Sequence, residues 1–258
     1  MIGDKLKSSV LGATARLLGL FPLRWLHIAA IPISRLLGWL PLAKHAVVER
    51  NLEACFPDQN DPERRHLAAA QRLELVRLML ELGPLAAWPG QRLEAHLHGH
   101  QGWEQVQQAL RNGHGVIVVT GHFGNWEILN LALSRQLDMI TLYRAPDQRW
   151  LDECISRIRS RFGGRVVPSG SAAMRQLLRQ LRKGGAVAIA ADIQPKHGEG
   201  VFVPFMGVPA LTMTLLHRLA RKTGCEVIFC EALRMRRGQG WRLTFQPAPE
   251  CMSGPDPT

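Results

Sequence analysis

The sequence is poor in several features that identify particular protein classes. One tyrosine occurs in 258 residues, aromatic side chains make up 6% of the chain, and no RNA-recognition signature is present. The five cysteines are odd in number and form no C-x-x-C pair, which argues against a disulfide framework or a zinc site and suits a reducing compartment. His96, His98 and His100 alternate as in a half-exposed strand, without a cysteine or carboxylate at metal-ligand spacing. We therefore expect no metal, no cofactor and no nucleic-acid partner.

Long uncharged hydrophobic runs are also missing. Arg16, Arg24 and Arg35 interrupt the apolar residues 1–45, and the remaining runs fall short of the roughly 20 residues that a membrane-spanning helix needs. No small-residue cleavage site follows a short apolar core, so we do not expect a cleavable signal peptide. Pro22 and Pro32 are expected to kink or divide a helix in this segment.

Residues 1–45 nevertheless have an amphipathic pattern. At 100° per residue, Arg16, Arg24, His27 and Arg35 share an arc of about 100°, and Leu and Trp side chains fill much of the remaining surface. A basic stripe beside a broad apolar surface is typical of a helix that lies in a membrane interface, where Trp side chains are favoured. The formal net charge of +11 likewise favours anionic partners. The alternative is an amphipathic helix docked on the protein's own core.

The remainder of the chain, residues 46–258, predicts an α/β fold with a largely parallel central sheet flanked by helices. Short apolar β-branched runs alternate with helical patterns and Gly-rich turns. The buried-strand runs are 116–119, 139–143, 165–168, 186–191 and 226–233. We expect helix breaks at Gly83-Pro84, a loop over HGEGVFVPFMGVPALT and a helix from Thr212.

The stretch VIVVTGHFGNWEILNL, residues 116–131, carries the clearest chemical signal. His122 and Glu127 lie between an apolar strand and an apolar helix. On one regular helix they would be about 140° apart, but they can meet if His122 lies in the turn and Glu127 in the first helical turn. His122 could then act as a base whose tautomer Glu127 fixes. A structural His and a helix-start Glu are the alternative.

Several motifs in order resemble the lipid A biosynthesis acyltransferases, within the glycerolipid acyltransferase superfamily, whose mark is His-x4-Asp/Glu. The motif H-F-G-N-W-E is the strongest. The others are N-L with F-P at residues 51–57, Tyr143-Arg144, R-S-R-F-G at 159–163, Asp192 after a buried strand, and VFVPFMG at 201–207. The resemblance covers about residues 45–247. Ile193 separates Asp192 from Gln194, whereas the family has Gln or His directly after the Asp.

This resemblance implies acyl transfer from acyl carrier protein to a hydroxyl of a lipid A precursor, at the cytoplasmic face of a bacterial inner membrane. It makes His122 the base and Glu127 its partner. The expected substrate-binding residues are Arg144, Arg159, Asp192 and Asn125. Because no G-x-S-x-G elbow is present and no Cys lies near the motif, we expect direct attack by the lipid hydroxyl without a covalent acyl-enzyme.

Two further groups of residues have open interpretations. Arg149, Arg157 and Arg161 are expected either to steer the acidic carrier protein or to form a solvated basic helix face. Four apolar side chains are expected either to line a groove for the acyl chain or to pack in the protein core: Phe202, Phe205, Met206 and Val208.

The chain's last residues, QPAPECMSGPDPT, depart from the family, which continues with another helical segment and a P-E-x-W-x-W-x-H-R-R-like ending. We therefore expect the C-terminal end of the acyltransferase domain to be shortened. Other acceptors also stay open, namely a glycerophospholipid or an amino lipid, although the F-P-E-G-x-R-S block typical of that branch is not found. A non-catalytic basic protein that binds the membrane surface is the alternative outside the enzyme class.

Overall fold

The computed structural model describes residues 2–41, 43–195 and 198–249. The expected shortening of the C-terminal end concerns residues outside these ranges. The helices are Ile2–Leu18 (α1), Leu23–Trp39 (α2), Ala43–Cys55 (α3), Asp61–Ala87 (α4), Gly90–Glu94 (α5), Trp103–Arg111 (α6), Trp126–Ser134 (α7), Arg149–Arg159 (α8), Ser171–Arg182 (α9) and Leu215–Thr223 (α10). The strands are Leu97–Gln101 (β1), Val116–Thr120 (β2), Met139–Tyr143 (β3), Arg165–Pro168 (β4), Ala186–Ala190 (β5), Gly200–Phe205 (β6), Val208–Met213 (β7), Glu226–Arg234 (β8) and Trp241–Pro247 (β9).

The α/β prediction is confirmed by a seven-stranded sheet in the order β1-β9-β8-β2-β5-β3-β4. The five strands from β8 to β4 are parallel to one another, and β9 and β1 run in the opposite direction. The central strand β2 is buried on both faces: Val116 and Val118 belong to one hydrophobic core, and Ile117 and Val119 to the other. This alternation is what a strand covered by helices on both sides requires.

The N-terminal region consists of two helices instead of one. The first helix ends at Leu18, and Pro22 is the N-cap of α2. The α1–α2 pair is bent by 118° at the connection between the two helices. The division at Pro22 agrees with the expected kink or division of the helix, whereas Pro32 lies inside α2 without dividing it. No helix in the described ranges is by itself long and apolar enough to cross a membrane, although α1 and α2 together, as a bent pair, pass on length and composition alone.

Both N-terminal helices pack against α4, which is longer than expected. The pair Gly83-Pro84 does not end this helix, which continues to Ala87. A Cβ atom at Gly83 would lie 2.4 Å from Cβ of Leu18, so the missing side chain lets α1 cross α4 closely. The inner face of α2 buries Leu23 against these helices.

The expected loop over HGEGVFVPFMGVPALT contains a β-hairpin, β6–β7, in its described part. Phe205 pairs with Val208 across a two-residue turn, and both turn residues, Met206 and Gly207, have positive φ angles of 50° and 79°. Such turns match the twist of the flanking strands. Because β7 continues to Met213, the following helix begins at Leu215 and not at Thr212.

Candidate active site

The candidate site lies at the carboxyl ends of two neighbouring parallel strands. β2 leads into the turn that carries His122, and β5, which pairs with β2, leads into Asp192. Because ligand sites in parallel sheets form at this edge, residues 70 positions apart in sequence come together. The Nδ1 atom of His122 lies 2.7 Å from Oδ1 of Asp192, and the His122 backbone N–H donates to Oδ2 over 2.6 Å.

The bond to Asp192 has a chemical consequence for the imidazole. A carboxylate accepts, so Nδ1 carries the proton and Nε2 keeps its lone pair. The His122 and Asp192 side chains are 43% and 46% exposed, and the ring of Trp126 contacts the imidazole at 4.8 Å between centroids, in an edge-on arrangement. The geometry is that of an oriented general base that solvent and substrate can reach.

Glu127 has a different partner from the one expected. His122 does lie in the turn and Glu127 in the first turn of α7, but no hydrogen bond joins them among the described residues. The Glu127 carboxylate accepts from Nε and Nη2 of Arg159 over 2.9 and 2.5 Å, and from the indole of Trp126 over 3.1 Å. The residue that fixes the His122 tautomer is therefore Asp192, and Glu127 is instead bound to Arg159 of α8.

The Glu127–Arg159 pair is largely withdrawn from water, with side-chain exposures of 11% and 15%. Burial on its own lowers the pKa of Arg159, but the Glu127 carboxylate outweighs burial and raises this pKa above its ordinary value. The guanidinium also lies 5.5 Å from the centroid of the Tyr143 ring. Burial, together with the hydrogen bond to Asp152, raises the pKa of the Tyr143 hydroxyl. Arg159 is therefore a fixed positive charge in the site.

These side chains share a cleft of about 460 Å³, the reactive cleft. His122, Glu127 and Arg159 are among its polar lining residues. Arg144 is exposed and also lines the adjoining cleft. The remaining wall is mainly apolar and includes Val118, Leu129, Leu133, Leu142 and Ile155. A charged mouth with an apolar interior suits an amphiphilic ligand.

A second cleft of about 660 Å³, the hairpin cleft, lies between the β6–β7 hairpin and the sheet, and includes Asp192. Phe202 and Phe205 line it and are 68% and 61% exposed, so core packing is wrong for both. Met206 is 47% exposed at the hairpin turn. Cys230 also lines this cleft, and its burial raises the pKa of the thiol far above the usual range; such a thiol is a poor nucleophile at neutral pH.

Asn125 has a position within the fold that the sequence did not suggest. Its side chain is fully buried, accepts from the Ile128 backbone N–H over 3.0 Å as the N-cap of α7, and donates to Glu81 over 2.7 Å. Since it does not line the reactive cleft, its contacts correct the expectation of direct substrate binding. They assign it to holding the turn between His122 and α7.

Glu81 was missed by sequence reasoning, because it lies in a helical stretch where a Glu ordinarily faces solvent. Its side chain is fully buried in α4 and accepts from His27 over 2.7 Å and from Arg234. Burial raises the pKa of this carboxyl, but the hydrogen bonds from His27 and Arg234 outweigh burial and lower the pKa below its usual value. The carboxylate thus joins α2, β8 and, through Asn125, the turn between β2 and α7 that carries His122.

The contacts of two basic residues, His27 and Arg161, correct what was expected of them. His27 is buried against Glu81 and does not belong to an exposed basic stripe. Arg161 donates to the backbone carbonyls of Leu85 and Trp88, which makes it a structural link between α8 and the end of α4. Arg149 and Arg157 are exposed.

Comparisons with known proteins found a matching family model and several relatives. Residues 7–258 match the family described as bacterial lipid A biosynthesis acyltransferase. A lipid A biosynthesis lauroyltransferase of Escherichia coli (strain K12) is 28% identical over 206 residues, which are 80% of this chain and 66% of that protein. A lipid A biosynthesis palmitoleoyltransferase of the same strain is 26% identical over 208 residues, covering 80% and 67%. A lipid A biosynthesis acyltransferase of Haemophilus influenzae (strain ATCC 51907 / DSM 11121 / KW20 / Rd) is 24% identical over 239 residues, covering 86% and 74%. The chain thus spans about two thirds of the length of the first two relatives.

Proposed function

Because the chain belongs to the bacterial lipid A biosynthesis acyltransferase family, which confirms the resemblance found in the sequence, we propose that it transfers a fatty acyl chain from acyl carrier protein to a hydroxyl of a lipid A precursor. The names of its relatives specify lauroyl and palmitoleoyl transfer. The observation that carries the proposal is the hydrogen bond of 2.7 Å between Nδ1 of His122 and Asp192, which leaves Nε2 as an oriented base at the mouth of an apolar cleft.

The reaction needs one base and no covalent enzyme intermediate. Nε2 of His122 takes the proton of the acceptor hydroxyl while the hydroxyl oxygen forms a bond to the thioester carbonyl carbon. Collapse of the tetrahedral adduct breaks the carbon–sulfur bond, and the protonated imidazole gives its proton to the leaving thiolate. Asp192 stabilises the imidazolium that exists between these two proton transfers.

Glu127 and Arg159 support the reaction by fixing the wall of the reactive cleft. A bidentate Arg–carboxylate pair has a defined geometry, and this pair joins the first turn of α7 to α8. The first turn of α7 directly follows residues 121–125, the turn that carries His122, called here the catalytic turn. Removing either member leaves the other charge buried without its counter-charge. The role of Glu127 in this proposal is therefore to position α7 and Arg159.

The apolar parts of the site are assigned to the fatty acyl chain. The hairpin cleft offers Phe202, Phe205 and Phe229 next to Asp192, and the exposure of the two hairpin phenylalanines leaves apolar surface for a ligand to cover. We place the protein on the cytoplasmic face of the inner membrane, where the exposed apolar side chains of α2, including Trp25 and Trp39, enter the interface.

The test is acyl transfer by the purified full chain. Acyl-loaded carrier protein and a lipid A precursor are mixed with the wild-type chain, His122→Ala or Glu127→Ala, and the acylated product is measured. We expect product from the wild type and almost none from His122→Ala. Equal product from wild type and His122→Ala would remove the catalytic role of this residue.

The same assay separates the two remaining candidates. A glycerophospholipid or amino lipid offered in place of the lipid A precursor identifies a different acceptor if it is acylated faster. If neither acceptor is acylated while the chain binds anionic vesicles, the protein is a non-catalytic membrane-binding member of the family. The net charge of +11 is the observation that favours the non-catalytic candidate, because a basic protein is attracted to an anionic membrane surface.

A further inference from the structure

A third cleft, of about 960 Å³, lies between α2, α4 and the tip of the β8–β9 hairpin. Phe123 and Gly124, the two residues that follow His122, form part of its wall. The catalytic turn therefore separates this cleft, called here the basic cleft, from the reactive cleft that His122 lines. A ligand in the basic cleft lies directly beside the turn that carries the base.

Positive charge dominates the lining of the basic cleft, which contains five arginines, Arg24, Arg77, Arg234, Arg236 and Arg237, and a single carboxylate, Glu74. Arg234 is neutralised by Glu81 beneath the cleft and by Glu74, and Arg77 also pairs with Glu74. The other three arginines have no ion pair in the part of the chain that the structure describes. Their charges remain available to an anion.

The wall of this cleft is held in place by close backbone packing. A Cβ atom at Gly238 would lie 2.4 Å from Cα of Arg24, so the hairpin tip rests on the first turn of α2. Arg237 has a φ angle of 57°, which for a non-glycine residue is a strained left-handed conformation. The buried Nε of Arg77 has no hydrogen-bond partner among the described residues. The fold thus keeps cationic side chains around the cavity at a conformational cost.

The basic cleft also has an apolar side. Ile28 and Ile31 of α2 line it opposite Leu233 and Met235 of the hairpin, and Phe123 is 49% exposed at the catalytic turn. Ile28 is 50% exposed and connects the apolar side of the cleft to the outer surface of α2, where Trp25 is 52% exposed. A small free anion leaves such walls uncovered. An amphiphile with an anionic head satisfies both sides.

We propose that the basic cleft binds the phosphorylated headgroup of a membrane lipid, with the phosphate held by Arg24, Arg236 and Arg237 and the lipid chains lying along α2. Guanidinium groups bind phosphate oxygens in bidentate geometry. That this lipid is the acyl acceptor rests on the proposed function. In that case its headgroup lies beside Phe123 and presents a hydroxyl to His122 across the turn.

The test measures binding of the full chain, without acyl donor, to phosphatidylcholine vesicles with and without phosphatidic acid as the phosphomonoester lipid. The cleft variant is Arg236→Gln/Arg237→Asn, in which Asn tolerates the left-handed backbone. The matched control is Arg175→Gln/Arg179→Gln, which removes the same charge from exposed positions of α9. A thermal melt checks that both are folded, and Arg24→Gln is the second cleft variant should the first unfold.

We expect the cleft variant to lose about tenfold of the phosphatidic-acid-dependent affinity and the control to keep it. Equal losses in both variants would show that general charge alone attracts the protein, and no loss in either would show that the basic cleft is not the site. Both results overturn the proposal.

Two further arms identify the source of the anion. Inorganic phosphate and a soluble short-chain phosphatidic acid are compared as competitors at constant ionic strength. Displacement from the vesicles by the short-chain lipid at a much lower concentration than by phosphate supports the lipid assignment, and displacement by both at the same concentration would overturn it. Carrier protein that binds the wild type but not the cleft variant, in the absence of vesicles, would transfer the cleft to an acidic protein. This test measures binding and not acyl transfer, so its result is independent of the transfer assay. If the chain binds phosphatidic acid through the basic cleft but acylates no acceptor, the lipid site is supported and only the proposed function is wrong.

Discussion

Nδ1 of His122 lies 2.7 Å from Oδ1 of Asp192, although 70 positions separate the two residues in sequence. The pairing of β2 with β5 in the sheet brings them together, and the same carboxylate also accepts from the His122 backbone N–H. Asp192 thus fixes the turn and the imidazole at once, which places the orienting role on a residue that follows a different strand.

The first prediction concerns this orienting role. Asp192→Asn is expected to lower kcat about a hundredfold and to leave KM nearly unchanged, because an amide does not stabilise the imidazolium that forms during transfer. Initial rates with acyl-loaded carrier protein measure the effect. Asp58→Asn is the matched control, since Asp58 is exposed and lies in the turn before α4. Full kcat in Asp192→Asn would show that His122 works without this partner.

The second prediction concerns the buried pair of Glu127 and Arg159. Glu127→Gln is expected to lower the free energy of unfolding by roughly 2–3 kcal/mol, because the Arg159 guanidinium stays buried without its counter-charge. Urea unfolding measures the loss. The double variant Glu127→Gln/Arg159→Gln should recover part of it, since no buried charge remains. A single variant as stable as the wild type would mean that solvent reaches Arg159.

The third prediction concerns Glu81 and acid stability. Its pKa in the folded chain lies below the usual value, owing to His27 and Arg234. The stabilisation from this carboxylate is therefore complete above the unfolded-state pKa and is lost as the pH falls through the folded-state pKa. Glu81→Gln should be less stable at neutral pH and should lose less stability on acidification.

Urea midpoints at a series of pH values from neutral to acidic test this expectation. Glu49→Gln, which changes an exposed residue of α3, serves as the control and should follow the wild-type curve. An acid dependence that is identical in Glu81→Gln and wild type would assign acid unfolding to other carboxylates. Asp138 is one candidate, because hydrogen bonding to Gln180 and Arg165 lowers its pKa.

The fourth prediction concerns the outer face of α2. Trp25→Gln/Trp39→Gln is expected to weaken binding to anionic vesicles about tenfold without unfolding the chain, because the two indoles are 52% and 85% exposed. Vesicle sedimentation is the measurement. Leu75→Gln/Met79→Gln changes two exposed apolar residues of α4 and should bind as the wild type does. Equal weakening in both variants would mean that α2 has no special contact with the membrane.

Substitution on the surface is a sharper test than removal of residues 1–44. The N-terminal helices bury Leu23 and Leu26 and pack against α4, so their deletion exposes apolar surface of the domain itself. Loss of membrane binding in the deleted chain would then be combined with a loss of stability. The two Trp substitutions change only side chains that already face outward.

The fold class, most strands of the central sheet and the position of the turn that carries His122 were predictable from the amino-acid sequence, whereas the β6–β7 hairpin was expected to be a loop. Met139–Tyr143 is a strand with the expected bounds, and the run 116–119 is a strand that extends one residue further, to Thr120. Both were predictable because a strand covered on both faces needs a continuous apolar run. The order of short motifs also identified the family. These properties depend on local patterns, which a sequence displays directly.

Which charged residues pair with one another is visible only in the folded chain. Asp192 replaces Glu127 as the partner of His122, Glu127 binds Arg159, and Glu81 binds His27 and Arg234. Each of these contacts joins residues from separate helices or strands, and a carboxylate on a helix has the same local pattern whether it faces water or a buried arginine. The order and direction of the strands decide between the two, because they determine which side chains meet at the carboxyl edge of the sheet and which meet beneath it.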